Sequence, residues 1–258
     1  MAQRLRRILG LTRIRNEACI IHETLDHFAK FCDLGVVVFD DASQDATPEL
    51  VAGHPAVVDL IRNFKWNPKR PALEGQHRQM LLDRGRSYNP HWFLYFDADE
   101  RIEWDFKVPK TADFDAVAMK LWDAYITRED QHEIGCHRKW FGPEWREIVF
   151  LFRNVPKMKY GGYDQRNIAG FERPLKTGFV KHYGKAVSVR EWEETCVYYQ
   201  LPCWGPDYNR KWKARMGRAV HTHSDFGHPL VSWSDAKEFR FDRDYMIHGL
   251  PPVRRRKR

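Results

Sequence analysis

The sequence predicts an α/β protein: a mostly parallel central sheet flanked by helices, folded as a single domain with a C-terminal extension. Two observations predict it. Apolar runs with strand character alternate with helically spaced apolar residues through the first hundred positions, and such alternation with short connections implies parallel strands joined by right-handed crossovers. Carboxylates also crowd the ends of two of those runs, at Asp40-Asp41 and at Asp97-Ala98-Asp99. In open α/β sheets ligands bind there, outside the carboxyl ends of the strands.

Each element has its own signal. Arg7 to Thr12 reads as a first strand, and Asn16 to Phe31 as an amphipathic helix, because Ile20, Ile21, Thr24, Leu25, Phe28 and Phe31 recur at helical spacing. Gly35 to Asp40 is a second strand, Thr47 to Gly53 a helix opened by the Asp45/Thr47 capping region, and Ala56 to Arg62 a third strand. Leu73 to Arg84 is helical, and Trp92 to Phe96 is a fourth strand running into the acidic triplet. Further on, Asp115 to Leu121 and Ile148 to Phe152 are strands separated by a polar, aromatic stretch from Asp123 to Arg146, expected to be a long functional loop. Leu201-Pro202-Cys203-Trp204-Gly205-Pro206 then breaks the pattern. The expected organisation is one half over 1–105, a second half of the same domain over 106–200, and a basic extension over 201–258 ending in a disordered tail.

Composition bounds the function classes. With 258 residues, 43% of them hydrophobic, the chain can bury one large core. No apolar stretch approaches the roughly 18 to 20 residues needed to span a bilayer, and the basic start Arg4-Leu5-Arg6-Arg7 leads into a run too short for a signal peptide. The five cysteines are odd in number, scattered and free of CxxC spacing, which indicates neither a disulfide framework nor a zinc site and fits a reducing cytoplasm. The formal charge of +8 favours an anionic partner, although part of it sits in Arg254-Arg255-Arg256-Lys257-Arg258, a tail that can dock on the anionic inner face of a membrane.

Two carboxylates separated by one small residue at a strand end, as in Asp97-Ala98-Asp99, can hold a hard divalent cation, and that cation can hold a diphosphate. Asp-x-Asp alone is equally a polar turn, and Asp40 to Thr47 equally a turn and helix cap. The two acidic strand ends together, with Thr12-Arg13 after the first strand, would converge on one crevice. His221, His223 and His228 superficially suggest a metal site but read as polar loop residues.

These stretches resemble the GT-A-fold nucleotide-sugar glycosyltransferases, particularly family 2. The resemblance runs through Thr12-Arg13-Ile14-Arg15-Asn16-Glu17, Val37 to Thr47, Gly75-Gln76-His77-Arg78-Gln79 and Phe96 to Glu100, with Leu151 to Pro156 and Lys181-His182-Tyr183-Gly184 similar to the family's later segments. It implies that Asp40 meets the nucleotide base, that Thr12, Arg13 and Glu17 lie near base or ribose, and that Arg78 lies near the nucleotide or its phosphates. It implies Asp97 at the ribose or the metal's water shell, Asp99 as direct ligand of Mn2+ or Mg2+, and His182 as the histidine completing the metal site.

The chemistery of such a transfer asks for the same parts. Breaking the bond between the anomeric carbon and a phosphate oxygen builds negative charge on the departing diphosphate, which a divalent cation stabilises. An inverting transfer also needs a carboxylate to take the acceptor's proton. Asp164 is the first candidate, a departure from the His-Glu pair relatives often carry, and Glu144 and Glu147 are its rivals. The expectation is a metal-dependent inverting hexosyltransferase using a nucleoside-diphosphate sugar, a UDP-sugar favoured, on a glycan or lipid-linked acceptor of the bacterial surface. The alternatives are transfer to a hydroxylated base in DNA, with Asn209 to Arg218 following the phosphate backbone, and a non-catalytic nucleotide or nucleic-acid binding protein on the same scaffold.

Overall fold

The computed structural model describes residues 7–67, 73–103, 106–107, 113–161 and 166–250. In chain order the strands and α-helices are β1 (Ile8–Ile14), α1 (Ile21–Ala29), β2 (Val36–Asp41), α2 (Thr47–Ala52), β3 (Val57–Asn63), α3 (Glu74–Arg86), β4 (Trp92–Phe96), β5 (Glu100–Ile102), β6 (Ala116–Tyr125), β7 (Trp140–Arg153), β8 (Pro174–His182), α4 (Val189–Tyr198), α5 (Pro206–Lys213), β9 (Val231–Ser232), α6 (Trp233–Glu238) and β10 (Met246–His248). They form a mixed α/β, Rossmann-like domain around one curled sheet.

Strand order is β3-β2-β1-β4-β7-β6-β8-β5, with β9 and β10 both pairing β7. The first four positions are parallel throughout, as the crossovers demand. Beyond them β7 runs antiparallel to β4 and β6, and β8 runs parallel to β6 and antiparallel to β5. The sheet is therefore parallel in its N-terminal half and mixed in the rest.

Both faces of the parallel half are buried, because β1, β2 and β4 send alternate side chains to opposite layers. One layer packs Ile8, Val36, Val38, Leu94 and Phe96 with Ile21, Leu25 and Phe28 of α1. The other packs Leu9, Leu11, Val37, Phe93 and Tyr95 with Leu81 and Leu82 of α3. Phe28 stacks on Phe96 with ring centroids 3.6 Å apart, and burying each such ring contributes about 1.5–3 kcal/mol. The helix periodicity and the strand alternation thus specify the same core.

The curl follows from chain length. β4 is fourth in the sheet order and β5 last, yet only Asp97, Ala98 and Asp99 connect them. Four residue steps reach at most about 14 Å, so the β8-β5 edge must fold back against the carboxyl end of β4. The acidic triplet is the bridge between those two parts of the sheet.

The segment from Asp123 to Arg146 is a correction to the sequence reading. β6 continues to Tyr125 and β7 already begins at Trp140, so the connection is 126–139. Cross-strand pairing explains it: Trp122 lies opposite Trp145, Leu121 opposite Arg146 and Lys120 opposite Glu147, and Trp122, Tyr125, Phe141 and Trp145 are all buried. Aromatics alternating with polar residues form a twisted ladder here, and the polar members disguise it as a loop. The extension after residue 200 also joins the sheet, through β9 on Trp140 and Phe141 and β10 on Trp145 and Arg146. The tail 251–258 lies outside the described residues.

Candidate active site

A cavity of about 600 Å³ lies where the carboxyl ends of β1 and β4 face the end of β8, and α4 and α5 wall its far side. Arg13 and Glu17 follow from β1, Arg78 from α3, Asp97 and Asp99 from the β4-β5 link, and His182 from β8; all six line it. Tyr198 and Tyr199 at the end of α4, with Tyr208 and Trp212 of α5, supply an aromatic wall; the Tyr199 and Trp212 rings stack 4.6 Å apart. Ser188 caps α4 by accepting from the Glu191 N–H at 3.0 Å, which sets Glu191 at the mouth of the same cavity.

The acidic triplet divides its work. Asp97 Oδ2 accepts from Arg166 Nε at 3.0 Å, and the same guanidinium reaches Glu100 Oε2 at 2.8 Å. Glu100 also accepts from the Asp97 N–H at 2.8 Å, so it closes the turn. Asp99 is left with its Oδ2 3.4 Å from His182 Nε2, and its buried Oδ1 has no hydrogen-bond partner among the described residues. A buried orphan carboxylate oxygen is costly, and a cation bound to the Asp99 carboxylate would offset that cost. Gly184 keeps the space open: a Cβ there would come 2.6 Å from Asp99 Oδ2 and 2.8 Å from His182 Nε2.

Oxygen from Asp99 with nitrogen from His182 suits Mn2+ as well as Mg2+. Hard cations at nucleotide sites use one or two carboxylates and take their remaining oxygens from phosphates and water. The donor set fits such a cation, with Asp97 directed to Arg166.

The electrostatics are strongly coupled. Burial opposes the charge on Asp99, but His182 outweighs it and holds that carboxyl below its usual range. Burial also disfavours the His182 imidazolium, yet Asp99 and Asp123 raise its pKa to about 10. Glu17 is pushed well above the ordinary carboxylate range, first by burial and then by repulsion from Asp99, Glu191 and Asp97. Burial raises Glu100 to about 7, with Arg166 opposing and Asp97 and Asp99 adding to the rise.

A pH dependence follows. His182 binds its proton more tightly in the fold, so its contribution to stability is complete below the ordinary imidazole value of 6.5 and gone above about 10. In metal-free buffer the thermal midpoint is expected to fall across that window, and His182→Gln to flatten the fall. Melting curves of the two proteins at matched pH values check it, and parallel curves would refute it.

The remaining sequence candidates are placed differently. Thr12 and Asp40 are fully buried and outside the cavity walls. Asp40 accepts from the Ser43 hydroxyl and from Ser43 N–H at 3.3 Å, with Arg62 Nε 3.7 Å from its second oxygen. Much of the segment after β2 ties down the loop after β1: Ser43 Oγ accepts from Asn16 N–H at 2.9 Å, Thr47 Oγ1 from Glu17 N–H at 2.7 Å and Asp45 from Ala18 N–H at 3.1 Å. Asp41 anchors Arg13 at 2.7 Å. Arg78 donates to Tyr95 Oη at 3.1 Å and meets Glu74 at 3.3 Å.

Glu144 does not reach the cavity. It is buried and accepts from Ser224 Oγ and pairs with His228 Nδ1, each at 2.6 Å, which pins the 224–228 loop to β7. Glu147 pairs with Lys176 at 2.6 Å, and strand alternation turns it away from the cavity-lining Arg146 and Ile148. Asp164 lies outside the described residues. His221 packs edge-on to Tyr125 and Trp192 and His228 pairs with Glu144; among the described residues the three histidines do not form a group at metal-ligand spacing.

Sequence reasoning missed Arg166, Arg146, Lys185 and Asp123. The first three line the cavity. Asp123 holds His182 Nδ1 at 2.6 Å, Lys185 Nζ at 3.4 Å and the Arg146 guanidinium. Strand register, not sequence neighbours, brings Asp123 of β6 and Arg146 of β7 to the site, whereas Lys185 follows β8 and Arg166 lies in the irregular segment between β7 and β8. His22, Asp26 and His54 also stand at ligand-like spacing. There His54 Nδ1 accepts from Ala56 N–H at 3.2 Å, so backbone already engages one ring nitrogen, and Nε2 lies 3.3 Å from Asp26 Oδ1.

No protein-family profile matches the chain. Uncharacterized proteins of Mycobacterium bovis and Mycobacterium tuberculosis are each 33% identical to it over 153 residues, 54% of this chain and 37% of theirs. The chain thus spans little more than a third of the length of the curated relatives it matches. Among solved structures it is similar to mannosyl-3-phosphoglycerate synthase from Rubrobacter xylanophilus, at 20% identity and a TM-score of 0.29 over 48% of this chain and 42% of that one. It is also similar to a protein assigned as a nucleotide-diphospho-sugar transferase from Desulfovibrio desulfuricans, at 8% identity and a TM-score of 0.34 over 83% of this chain and 99% of that one. Likeness at these scores carries no functional weight, which falls on the side chains of the cavity.

Among the described residues no helix is long and apolar enough to cross a membrane.

Proposed function

We propose that this chain is a metal-dependent, inverting glycosyltransferase that moves a sugar from a nucleoside diphosphate, a UDP-sugar first, to a hydroxyl of a glycan or lipid-linked acceptor. The observation that carries the reading is Asp99: a carboxylate at the sheet's carboxyl edge, with one buried oxygen that has no partner among the described residues and His182 3.4 Å from the other. Mn2+ or Mg2+ bound there supplies charge stabilisation for the departing diphosphate. Lys185 and Arg146 line the same cavity and add fixed positive charge for phosphate oxygens.

The chain's own residues would do the rest. Arg166 holds Asp97 and Glu100 in place, and the aromatic wall of α4 and α5 offers flat faces for a sugar ring. Of the cavity carboxylates, Glu17, Glu100 and Glu191 have raised pKa values, in each case through burial first; Glu100 is engaged by Arg166, and in Glu17 and Glu191 such a shift makes the carboxylate a better acceptor for a hydroxyl proton. The cations of α5 are partly engaged within the fold, Arg210 by Asp207 at 2.8 Å and Arg215, just beyond it, by Asp225 at 2.8 Å. A continuous phosphate-tracking stripe is therefore not favoured over a glycan acceptor.

The test is a thermal-shift and calorimetric screen of UDP, GDP, CDP and dTDP with and without Mn2+. One nucleotide is expected to stabilise the protein only when Mn2+ is present, by about 2.7 kcal/mol at a concentration 100 times its Kd. Absence of binding in every condition would overturn the donor assignment. Metal-independent binding without hydrolysis of the matching nucleotide sugar would favour a non-catalytic binder.

A further inference from the structure

We infer that Asp123 is a positioning residue of the metal site: it fixes the His182 imidazole so that Nε2, beside Asp99, is presented to a divalent cation. The inference rests on the metal-dependent reading above and concerns a residue that the acidic motif does not include. β6 and β8 run parallel with Asp123 directly opposite His182, so backbone pairing sets the two side chains together. The Asp123 carboxylate is buried, and its Oδ1 lies 2.6 Å from His182 Nδ1.

A carboxylate at that distance holds a proton on Nδ1. The ring orientation is thereby fixed, and Nε2 is the nitrogen left to face Asp99 Oδ2 at 3.4 Å. Gly184, having no Cβ, leaves the approach to Nε2 clear. This is the arrangement in which an outer carboxylate orients a ligating histidine and raises its basicity, and its loss typically weakens metal affinity about 10–100-fold. Asp123 is itself held: the Arg146 guanidinium contacts Oδ1, and Lys185 Nζ lies 3.4 Å from Oδ2. Both cations line the cavity, so the same carboxylate aligns the metal ligand and two groups that would face phosphate oxygens.

The experiment uses Mn2+ alone as probe, with the full chain and its Asp123→Asn, Asp123→Glu and Asp99→Ala variants. Affinity is read from the free-Mn2+ EPR signal, and histidine ligation from nitrogen modulation of the bound ion. The native chain is expected to bind Mn2+ with nitrogen modulation. Asp123→Asn should weaken binding about 10–100-fold and diminish the modulation. Asp123→Glu, which keeps the charge but moves it by one methylene, should do the same, and stands in if the Asn variant does not fold. Unchanged affinity and modulation in the Asp123 variants, alongside lost binding in Asp99→Ala, would overturn the role of Asp123 and leave the metal reading standing. A lowered thermal midpoint with unchanged modulation would overturn it too, as a merely structural role. No Mn2+ binding by the native chain would overturn the metal reading and this inference with it.

Discussion

Asp99→Ala is expected to abolish Mn2+-dependent nucleotide binding and to lower sugar transfer by about 10³-fold or more, since even one lost transition-state donor typically costs 10²–10³. Asp99 is the carboxylate of the triplet with an oxygen left unpartnered among the described residues, whereas Asp97 and Glu100 are held by Arg166. The fold should survive the change. Asp99 gains from His182, but it also repels Glu17 and Glu100, raising the pKa of both. Removing it trades an attraction for relief of two repulsions, so the metal-free melting temperature should stay near the native value. Steady-state transfer assays and calorimetry on the variant check this. Native-like Mn2+ dependence in Asp99→Ala would move the metal site elsewhere.

The contrast between Asp99 and Asp40 shows how far the sequence could be read. Both are acids at the ends of apolar runs, and the family resemblance implies base contact for Asp40 and metal ligation for Asp99. The strands and helices around them were legible because periods of two and 3.6 residues are local properties: β1 to β4 and α1 to α3 lie close to where apolar spacing puts them. Which acid opens on the cavity is not local. Asp40 turns inward to Ser43 while its neighbour Asp41 anchors Arg13, and that choice depends on how the loop after β1 lies against the loop after β2.

The mixed half of the sheet was harder for the same reason. β6 and β7 carry Asp123, Glu144, Arg146 and Glu147 among their aromatics, and a strand pairing its polar residues across the ladder loses the apolar alternation that would reveal it. β5 is three residues long and has no pattern of its own. His182 could be singled out by resemblance, but Asp123 acquires meaning only from the register that sets it opposite His182. Arg166 is a lone cation in an irregular segment, brought to Asp97 and Glu100 by tertiary packing.

Gly184→Ala provides the sharpest separation of site from scaffold. Gly184 does not occupy a left-handed conformation, so alanine is compatible with its backbone and the effect is purely steric. The added methyl carbon would stand 2.6 Å from Asp99 Oδ2, 2.8 Å from His182 Nε2 and 2.9 Å from His182 Cε1, well inside van der Waals contact. Something must shift. His182 is held behind by Asp123 at 2.6 Å, and Asp99 sits in a three-residue link between two strands, so neither can retreat without separating from the other. The stability cost should resemble ordinary overpacking, about 1–3 kcal/mol, leaving a folded protein at room temperature. Mn2+ affinity, by contrast, should fall by at least about the 10–100-fold associated with displaced metal-ligand geometry, because both donors are disturbed at once. Circular dichroism with Mn2+ titration separates the two effects: a folded variant that binds Mn2+ like the native chain would mean the cation does not sit between Asp99 and His182. A folded variant that has lost binding locates the ion beside Gly184, between Asp99 Oδ2 and His182 Nε2.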